Sequence, residues 1–337
     1  MLIGLLAASL QAEPDILING AGATFPYPIY SQWAYKYNQL TGVRINYQSI
    51  GSGGGIQQIK AGTVHFGASD APLTAKELSE HGLFQFPLII GGVAPIVNVK
   101  GIQADQLKLT GELLADIYLG KITRWNDPAI QRINPDLKLP ADNITPVRRA
   151  DGSGTTWIFT HYLAEISLEW AEKVGAEKAV SWPTGVGGKG NEGVSAYVQR
   201  ISGSIGYVEF AYALQNKLIT TLLRNKEGSF VTPTLESFQA AAASADWVKA
   251  PGFHLVLVNQ PGESSWPITG ASFIIIQAHQ NNRTLARAML QFFDWCYHHG
   301  SDSALKLRYV PMPDHVVNLV QEAWSKQILC EGKTVWE

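Results

Sequence analysis

The sequence predicts an α/β protein built from two blocks. In the first 90 residues, strand-like and helix-like segments alternate, and such alternation favours a mainly parallel sheet. A second block repeats the order strand, glycine-rich loop, helix around residues 145–163. The length of 337 residues corresponds to roughly two domains. We therefore expect two α/β lobes that face each other across a cleft.

The elements of the first block follow from hydrophobic spacing. From Ile29 to Leu40 the apolar residues are spaced by four, four and three positions, as on one face of a helix. Thr24 is predicted to be the residue at which the chain enters this helix. The expected order is strand 16–18, helix 26–40, strand 43–50, helix 56–60 and strand 64–68. The loops at 23–25, 52–55 and 69–70 would then share the sheet edge at which ligands bind in such folds.

The second block and the C-terminal part give further elements. Strands are expected at 88–99, 145–147, 204–208 and 273–276, and helices at 113–119, 157–163, 285–297 and 314–328. Trp125 and Pro128 mark a turn. The glycine-rich stretch 185–193 is expected to be a turn before a helix that starts near Val194.

Composition excludes several classes of protein. Apolar residues make up 46% and charged residues 16% of the chain, which is enough apolar material for one or two cores and excludes intrinsic disorder. The net charge is −2, so no nucleic-acid partner is expected. Because no apolar run reaches about 18 residues, the sequence predicts no membrane-spanning helix.

The N-terminus predicts export. An apolar stretch from Leu2 to Ala8 precedes Gln11 and Ala12, and the acidic Glu13 follows. This pattern is typical of the end of a secretory signal peptide cleaved after Ala12, although the basic segment that normally begins such a peptide is missing. The alternative is an ordinary apolar N-terminal strand.

The two cysteines, Cys296 and Cys330, lie far from any N-terminal lipid-attachment position and lack metal-ligand spacing. A disulfide between them would suit an oxidising compartment. Two free thiols are the alternative, and the sequence leaves both open.

The segment 149–155 carries the strongest site signal. Gly154 lets the backbone approach a ligand closely, Ser153 and Thr155 offer hydroxyls, and the free N–H groups at the start of the next helix attract an anion. Arg149 supplies a planar fork suited to a tetrahedral oxyanion, and Asp151 is placed to orient it. The alternative is a plain helix N-cap at Ser153 or Asp151.

Two other loops, at 21–25 and 51–55, also combine glycine with a hydroxyl residue before a predicted helix, and the second contains Ser52. The alternative for both is an ordinary turn. Asp70 stands apart because an acid is unfavourable beside a fully ionised oxyanion. It becomes useful if the ligand carries a proton, which a carboxylate can accept, and it would then reject sulfate. Its alternative is a turn or capping residue before Ala71.

Enzyme signatures are absent from the sequence. The stretch 185–193 lacks the spacing of a phosphate-binding P-loop, there is no nucleophile elbow or paired-histidine zinc motif, and His298 and His299 fit a helix C-terminus. A phosphatase or phosphoesterase would need a nucleophile with a base, or a metal pair. It remains an alternative, as do a carrier of another tetrahedral oxyanion such as arsenate and an extracellular adhesin that holds phosphate.

Several longer motifs together resemble one family. They are AGATFPYPIY, INYQSIGSGGGIQQI, HFGASDAPL, GLFQFPLIIGGV, DIYLGKITRWNDPAI, VRRADGSGTTWIFTHYL, GVGGKGNEGV, IGYVEFAYA, WPITGASFI and LQFFDWCYHHG. The sequence, from about Ile18 to about Trp324, resembles the PstS family, the phosphate-binding proteins of Pst-type ABC phosphate transporters.

This resemblance implies a type II periplasmic binding protein with two α/β lobes. Each lobe would be a mixed, mainly parallel sheet flanked by helices, and the ligand cleft would lie at the hinge. Residues 13–90 and 265–337 would form lobe I, and residues 91–264 lobe II. The implied function is high-affinity phosphate binding and delivery to membrane-embedded ABC permease subunits, by a periplasmic monomer without enzymatic activity, cofactor or metal.

The resemblance also implies a phosphate site shared by the lobes. The implied contacts are Thr24, Phe25, Ser52, Asp70, Arg149, Ser153, Gly154 and Thr155. In this interpretation Asp70 accepts the phosphate proton, Arg149 pairs with the dianion, and Asp151 holds Arg149. Gly53 departs from the family, which often has a second serine there.

Overall fold

The structure, a computed structural model, describes residues 16–337. The predicted signal peptide over residues 1–12, with cleavage after Ala12, lies outside the described residues. The helices are α1 Tyr27–Thr41, α2 Ser52–Lys60, α3 Ala75–Glu80, α4 Gly111–Tyr118, α5 Pro128–Ile133, α6 Gly154–Ile166, α7 Leu168–Lys173, α8 Gly190–Arg200, α9 Phe210–Gln215, α10 Leu235–Ala242, α11 Arg283–His299, α12 Ser301–Lys306 and α13 Asp314–Gln327. Short 3₁₀ helices occupy Trp247–Lys249 and Pro251–Phe253.

The strands alternate with these helices along most of the chain. They are β1 Leu17–Gly22, β2 Arg44–Ser49, β3 Phe66–Ser69, β4 Leu83–Asn98, β5 Lys108–Leu109, β6 Thr145–Arg149, β7 Val186–Gly188, β8 Ser204–Glu209, β9 Ile219–Thr220, β10 Leu222–Arg224, β11 Phe230–Val231, β12 Thr269–Gln277, β13 His279–Gln280, β14 Val310–Pro311, β15 Leu329–Cys330 and β16 Lys333–Thr334.

The main sheet is mixed and runs through both halves of the molecule. Its strand order is β2-β1-β3-β12-β4-β8-β6-β7, and β9 and β14 also pair with β4. β1 is parallel to β2 and β3, and β6 is parallel to β7 and β8, whereas β12 and β8 are antiparallel to β4. These two parallel groups confirm the predicted α/β class and form the centres of the two lobes.

The long strand β4 connects the two lobes. Residues Leu83 to Gly92 pair with β12, and from Val93 onward the strand pairs with β8. At the change of partner, a Cβ on Gly92 would lie 2.1 Å from the Phe238 ring, so only glycine fits this position. The backbone at this junction is therefore in direct contact with an aromatic side chain.

Helix α11 shows how the helices cover the sheet of the first lobe. The ring of Phe293 lies edge-on to those of Phe66 in β3 and Phe86 in β4, with centroids 5.2 and 5.5 Å apart. Edge-to-face contacts at this spacing add to the free energy gained by burial. The helix thereby contacts two strands that lie on either side of β12.

Several glycine-rich segments that were predicted to be loops or turns belong to strands or helices in the structure. β1 continues to Gly22 instead of stopping at Asn19, because Gly20 leaves room for the Phe66 ring, which a Cβ would approach to 2.1 Å. Residues 52–55 form the first turn of α2, and the stretch 185–193 contains β7 and the start of α8. The expected turn is present at Trp125, and Pro128 is the first residue of the helix α5 that follows it.

Both cysteines are buried free thiols, so the disulfide alternative does not describe this structure. Burial raises the pKa of the Cys296 thiol, which makes it unreactive as a thiolate. Within residues 16–337, no helix has the length and apolar character needed to cross a membrane.

Candidate functional site

The starts of two helices from different lobes meet at the site. Ser52 is the first residue of α2 and Gly154 the first residue of α6. The Ser52 Oγ accepts hydrogen bonds from the backbone N–H groups of Gly154, at 3.1 Å, and Asp70, at 3.2 Å. Nearby, the N–H of Gly53 donates to the carbonyl of Gly152 at 2.8 Å. The two lobes are thus in direct contact in this structure.

This contact requires glycine at position 154. A Cβ there would lie 2.5 Å from both Asp70 Oδ2 and Ser52 Oγ, which is too close for any side chain. The absence of a Cβ lets the first turn of α6 reach the carboxylate of the opposite lobe. The close approach observed here is to Asp70 and Ser52, and the predicted approach of Gly154 to a ligand stays a prediction.

Asp70 follows β3 and is 1% exposed. Among the described residues, neither of its carboxylate oxygens has a hydrogen-bond partner of normal geometry. Burial raises its pKa to about 7, although the Ser272 and Ser52 hydroxyls and the Arg149 charge act in the opposite direction. Since buried polar atoms are normally paired, these two oxygens are suited to a ligand that offers a proton.

Arg149 ends β6 and is held by Asp151. Its Nε donates to Asp151 Oδ1 at 2.8 Å and its Nη2 donates to Oδ2, while Nη1 donates to Thr155 Oγ1 at 3.3 Å. Burial alone would raise the pKa of Asp151, but the pairing with Arg149 and the N–H of Gly190 lower it overall. The guanidinium is therefore fixed in a nearly charge-neutral pair, as the sequence predicted.

Thr24 and Phe25 take roles that differ partly from the prediction. Thr24 does not cap α1, whose N-cap position is Pro26 without a side-chain bond. Its Oγ1 instead accepts hydrogen bonds from Asn191 of α8, from Nδ2 at 2.7 Å and from the backbone N–H at 3.2 Å. The Phe25 side chain is buried and packs against Tyr309 with ring centroids 6.2 Å apart, so only its backbone is available to a ligand.

Two tyrosines fix the carbonyl groups of this loop. Tyr212 donates to the Thr24 carbonyl at 2.7 Å, and the Tyr309 hydroxyl lies 2.7 Å from both the Phe25 carbonyl and Glu209 Oε2. A phenol has a single proton and a carbonyl can only accept. When that proton is donated to Phe25, the contact with Glu209 requires a protonated carboxyl group. Burial, the main effect, raises the pKa of Glu209, in agreement with this proton count.

The other residues predicted from the sequence belong to the same cluster. Ser153 is the N-cap of α6, because its Oγ accepts the N–H of Thr156 at 3.0 Å, so the capping alternative holds for its hydroxyl. Asp151 pairs with Arg149 and does not cap this helix. Thr155 Oγ1 is contacted by Arg149 and by Asn191. Hydrogen bonds therefore link predicted contact residues in two groups. Ser52 is joined to Asp70 and Gly154, and Arg149 is joined through Thr155 and Asn191 to Thr24.

Sequence reasoning missed Asn191, Glu209, Tyr212 and Tyr309. Asn191 lies within the stretch 185–193, which we expected to be a turn. A signal was present, since this stretch is a further glycine-rich segment that precedes a helix, like those at Ser52 and Gly154. Tyr309 and Glu209 carry no local signal, because their contacts with Phe25 and with each other join residues about 100 or more positions apart.

Comparison with known proteins shows the family to which the chain belongs. The PBP superfamily domain matches residues 9–298. The phosphate-binding protein PstS of Pasteurella multocida is 52% identical over 338 residues, covering 100% of this chain and 97% of the relative. The PstS of Xylella fastidiosa strain Temecula1 is 53% identical over 319 residues, covering 95% and 88%. This chain belongs to the PstS family of phosphate-binding proteins.

A solved structure gives the same fold. A high-affinity periplasmic phosphate-binding protein, PfluDING, bound with phosphate, matches with a TM-score of 0.75 and 21% identity, covering 95% of this chain and 98% of its own. The chain has the two-lobed type II fold of periplasmic binding proteins. The curated relatives are named as phosphate-binding proteins, so the chain is a binding protein and the phosphatase alternative is not supported.

Proposed function

We propose that this chain binds inorganic phosphate between its lobes and delivers it to the membrane-embedded permease of an ABC phosphate importer. The observation that carries this proposal is the buried carboxylate of Asp70, which has no normal partner among the described residues and lies beside N–H and hydroxyl donors. Phosphate at neutral pH offers both acceptor oxygens and a proton. A site with many donors and one strong acceptor is complementary to it.

Each element of the site has a role in this proposal. Asp70 accepts the proton of the phosphate P–O–H group. Arg149 donates to a phosphate oxygen while Asp151 accepts from its guanidinium group and fixes its orientation. The N–H groups at the start of α6 stabilise the negative charge as local dipoles. The proposed contacts are Thr24, Phe25, Ser52, Asp70, Arg149, Ser153, Gly154 and Thr155, with no metal or cofactor.

Lobe closure follows from the position of these residues. We place the lobes at 13–90 with 265–337 and at 91–264, since β4 exchanges its partner β12 for β8 between Gly92 and Val93. Phosphate would contact Ser52 and Asp70 from lobe I and Arg149 from lobe II. A ligand that binds both lobes stabilises the closed arrangement over an open one.

The place of action is part of the same proposal. We propose that the chain is exported to the periplasm, that its N-terminal segment is removed near Ala12, and that it acts there as a monomer. Membership of the PstS family supports export and delivery to a permease. Size-exclusion chromatography with light scattering on the mature chain measures the oligomeric state directly.

Calorimetric titration of the purified, phosphate-stripped protein tests the binding proposal. We expect tight binding of phosphate, competition by arsenate because it has the same shape and proton, and sulfate binding weaker by roughly 10⁴-fold or more, as for a site built around a ligand hydroxyl. Phosphate binding no stronger than sulfate binding would contradict the role of Asp70. Absence of phosphate binding would reject the proposed function as a whole.

A further inference from the structure

Building on the proposed function, we infer that Asn191 is a positioning residue that makes the hydroxyls of Thr24 and Thr155 obligate hydrogen-bond donors toward the anion. Asn191 is fully buried and lies in the first turn of α8. It contacts both threonines, one from each lobe. It is not itself one of the proposed phosphate contacts.

The orientation of the Asn191 carboxamide is fixed by a partner that can only donate. Its Oδ1 accepts the backbone N–H of Glu209 at 2.9 Å. Because an N–H group has no lone pair to offer, the amide oxygen must face Glu209, and the NH₂ group must face the other way. A flipped carboxamide would bring two donors together at this contact.

The NH₂ group and the backbone of Asn191 then saturate Thr24. Nδ2 donates to Thr24 Oγ1 at 2.7 Å, and the backbone N–H donates to the same oxygen at 3.2 Å. A hydroxyl has two lone pairs and one proton. With both lone pairs engaged, the remaining capacity of this oxygen is to donate its proton.

Thr155 is saturated in the same way. Its Oγ1 accepts from Asn191 Nδ2 at 3.2 Å and from Arg149 Nη1 at 3.3 Å. Both of these groups are donors, so the proton of the Thr155 hydroxyl remains available for an acceptor elsewhere. The same carboxamide thus sets the polarity of one hydroxyl in each lobe, and it can do so for Thr24 only when the lobes are closed.

The consequence is that the Thr155 hydroxyl needs no reorientation when an anion binds, and that the Thr24 hydroxyl takes its direction as the lobes close. Free hydroxyls can present either a lone pair or a proton, and a lone pair facing an anionic oxygen is repulsive. A hydroxyl whose direction is fixed before the anion arrives lowers the free-energy cost of ordering the site on binding. It also favours ligands rich in acceptors over ligands that would donate to these oxygens.

A double-mutant cycle measured by calorimetry with inorganic phosphate tests this inference. We expect Asn191→Ala to weaken phosphate binding by about 10-fold, as for the loss of typical buried hydrogen bonds. Thr24→Val with Thr155→Val removes the two hydroxyls, and in that background we expect Asn191→Ala to weaken binding less than about 2-fold. An equal loss in both backgrounds would overturn the inference, because Asn191 would then act independently of the hydroxyls.

Asn191→Asp is a second variant that keeps an oxygen for the Glu209 N–H and replaces the NH₂ group with an acceptor. We expect a greater loss of affinity than with Asn191→Ala, since the new oxygen competes for a threonine proton; unchanged affinity would also overturn the inference. Asn134→Ala is the matched control, since Asn134 is a buried asparagine that bonds Lys108 and Ile130 outside the site. It should lower the melting temperature and leave phosphate affinity unchanged. If the unmodified protein fails to bind phosphate, the proposed function fails, which is a distinguishable result.

Discussion

Ser52 Oγ and the backbone N–H of Gly154 are joined by a hydrogen bond of 3.1 Å between the two lobes. Each residue is the first of its helix, so the positive ends of α2 and α6 lie next to each other. Such an arrangement is unfavourable by itself and becomes favourable with an anion between the helix ends, each of which contributes about 0.3–1 kcal/mol. Lobe contact and anion binding are therefore expected to depend on each other.

Gly154→Ala tests this dependence. The added Cβ would lie 2.5 Å from Asp70 Oδ2 and Ser52 Oγ, so the lobes should be held apart and phosphate affinity should fall by at least about 10-fold, which corresponds to about 1.4 kcal/mol. The matched control is Gly111→Ala, at the first residue of α4, where the Cβ would meet Tyr162 at 2.6 Å within the proposed lobe II. Equal phosphate affinities for the two variants, measured by calorimetry, would contradict the prediction.

Asp70→Asn should weaken discrimination between phosphate and sulfate. The ionised carboxylate repels a ligand that carries only acceptor oxygens, whereas an amide can donate to one of them. We expect sulfate affinity to rise and phosphate affinity to fall, so that the ratio of the two dissociation constants moves toward one. Competition calorimetry with both anions measures this ratio, and an unchanged ratio would remove Asp70 from the specificity mechanism.

The same substitution should change how stability depends on pH in the absence of phosphate. The pKa of Asp70 in the folded protein is raised to about 7, above the unfolded value of about 3.9. Its contribution to stability is therefore complete below about pH 4 and is lost as pH rises through 7. Relative to the unmodified protein, Asp70→Asn should gain stability between pH 5 and pH 8 in urea unfolding. A constant difference across this range would refute the assignment.

Arg149→Lys should weaken phosphate binding by roughly 10- to 100-fold, or about 1.5–3 kcal/mol. A lysine keeps the positive charge but cannot form the paired contacts with Asp151 and the additional contact with Thr155. Arg148→Lys, at the neighbouring position, serves as the control and should leave phosphate affinity unchanged. Binding by Arg149→Lys as tight as in the parent protein would show that charge alone is sufficient.

Glu209→Gln should be tolerated at low pH and increasingly stabilising as pH rises. Since burial raises the pKa of Glu209 in the folded state, the stability that its carboxyl group contributes is complete below about pH 4, near its unfolded pKa of about 4.3, and is lost at higher pH. A neutral amide has no such loss, and its oxygen can keep the hydrogen bond from the Ala211 N–H that Glu209 Oε2 accepts at 2.9 Å. Thermal unfolding from pH 4 to pH 9 checks this, and a variant that loses relative stability as pH rises would contradict it.

The sequence allowed prediction of the elements and site residues that depend on local spacing. Helix α13 begins at Asp314 as expected, because its apolar residues repeat with helical periodicity. Arg149 and Asp151 could be paired in advance since they are two positions apart. The role of Gly20 could not be predicted, because a glycine that accommodates the Phe66 ring has the same sequence appearance as a glycine in a turn.

The remaining site residues depend on tertiary contacts. Thr24 was expected to begin α1 and instead accepts from Asn191, which lies 167 positions away. No spacing rule relates two such residues, since their approach depends on how β1 and α8 are placed by the sheet and by contact between the lobes. The contact of Tyr309 with Glu209 is of the same kind.

The sixteen-residue strand β4 also restricts how the chain can be divided. Its N-terminal part completes the sheet around β12, and its C-terminal part completes the sheet around β8. Each part of the strand therefore has its pairing partners on its own side of this junction, and a cut between Gly92 and Val93 would leave both parts paired. What such a cut would remove is the continuous backbone that holds the two sheets together.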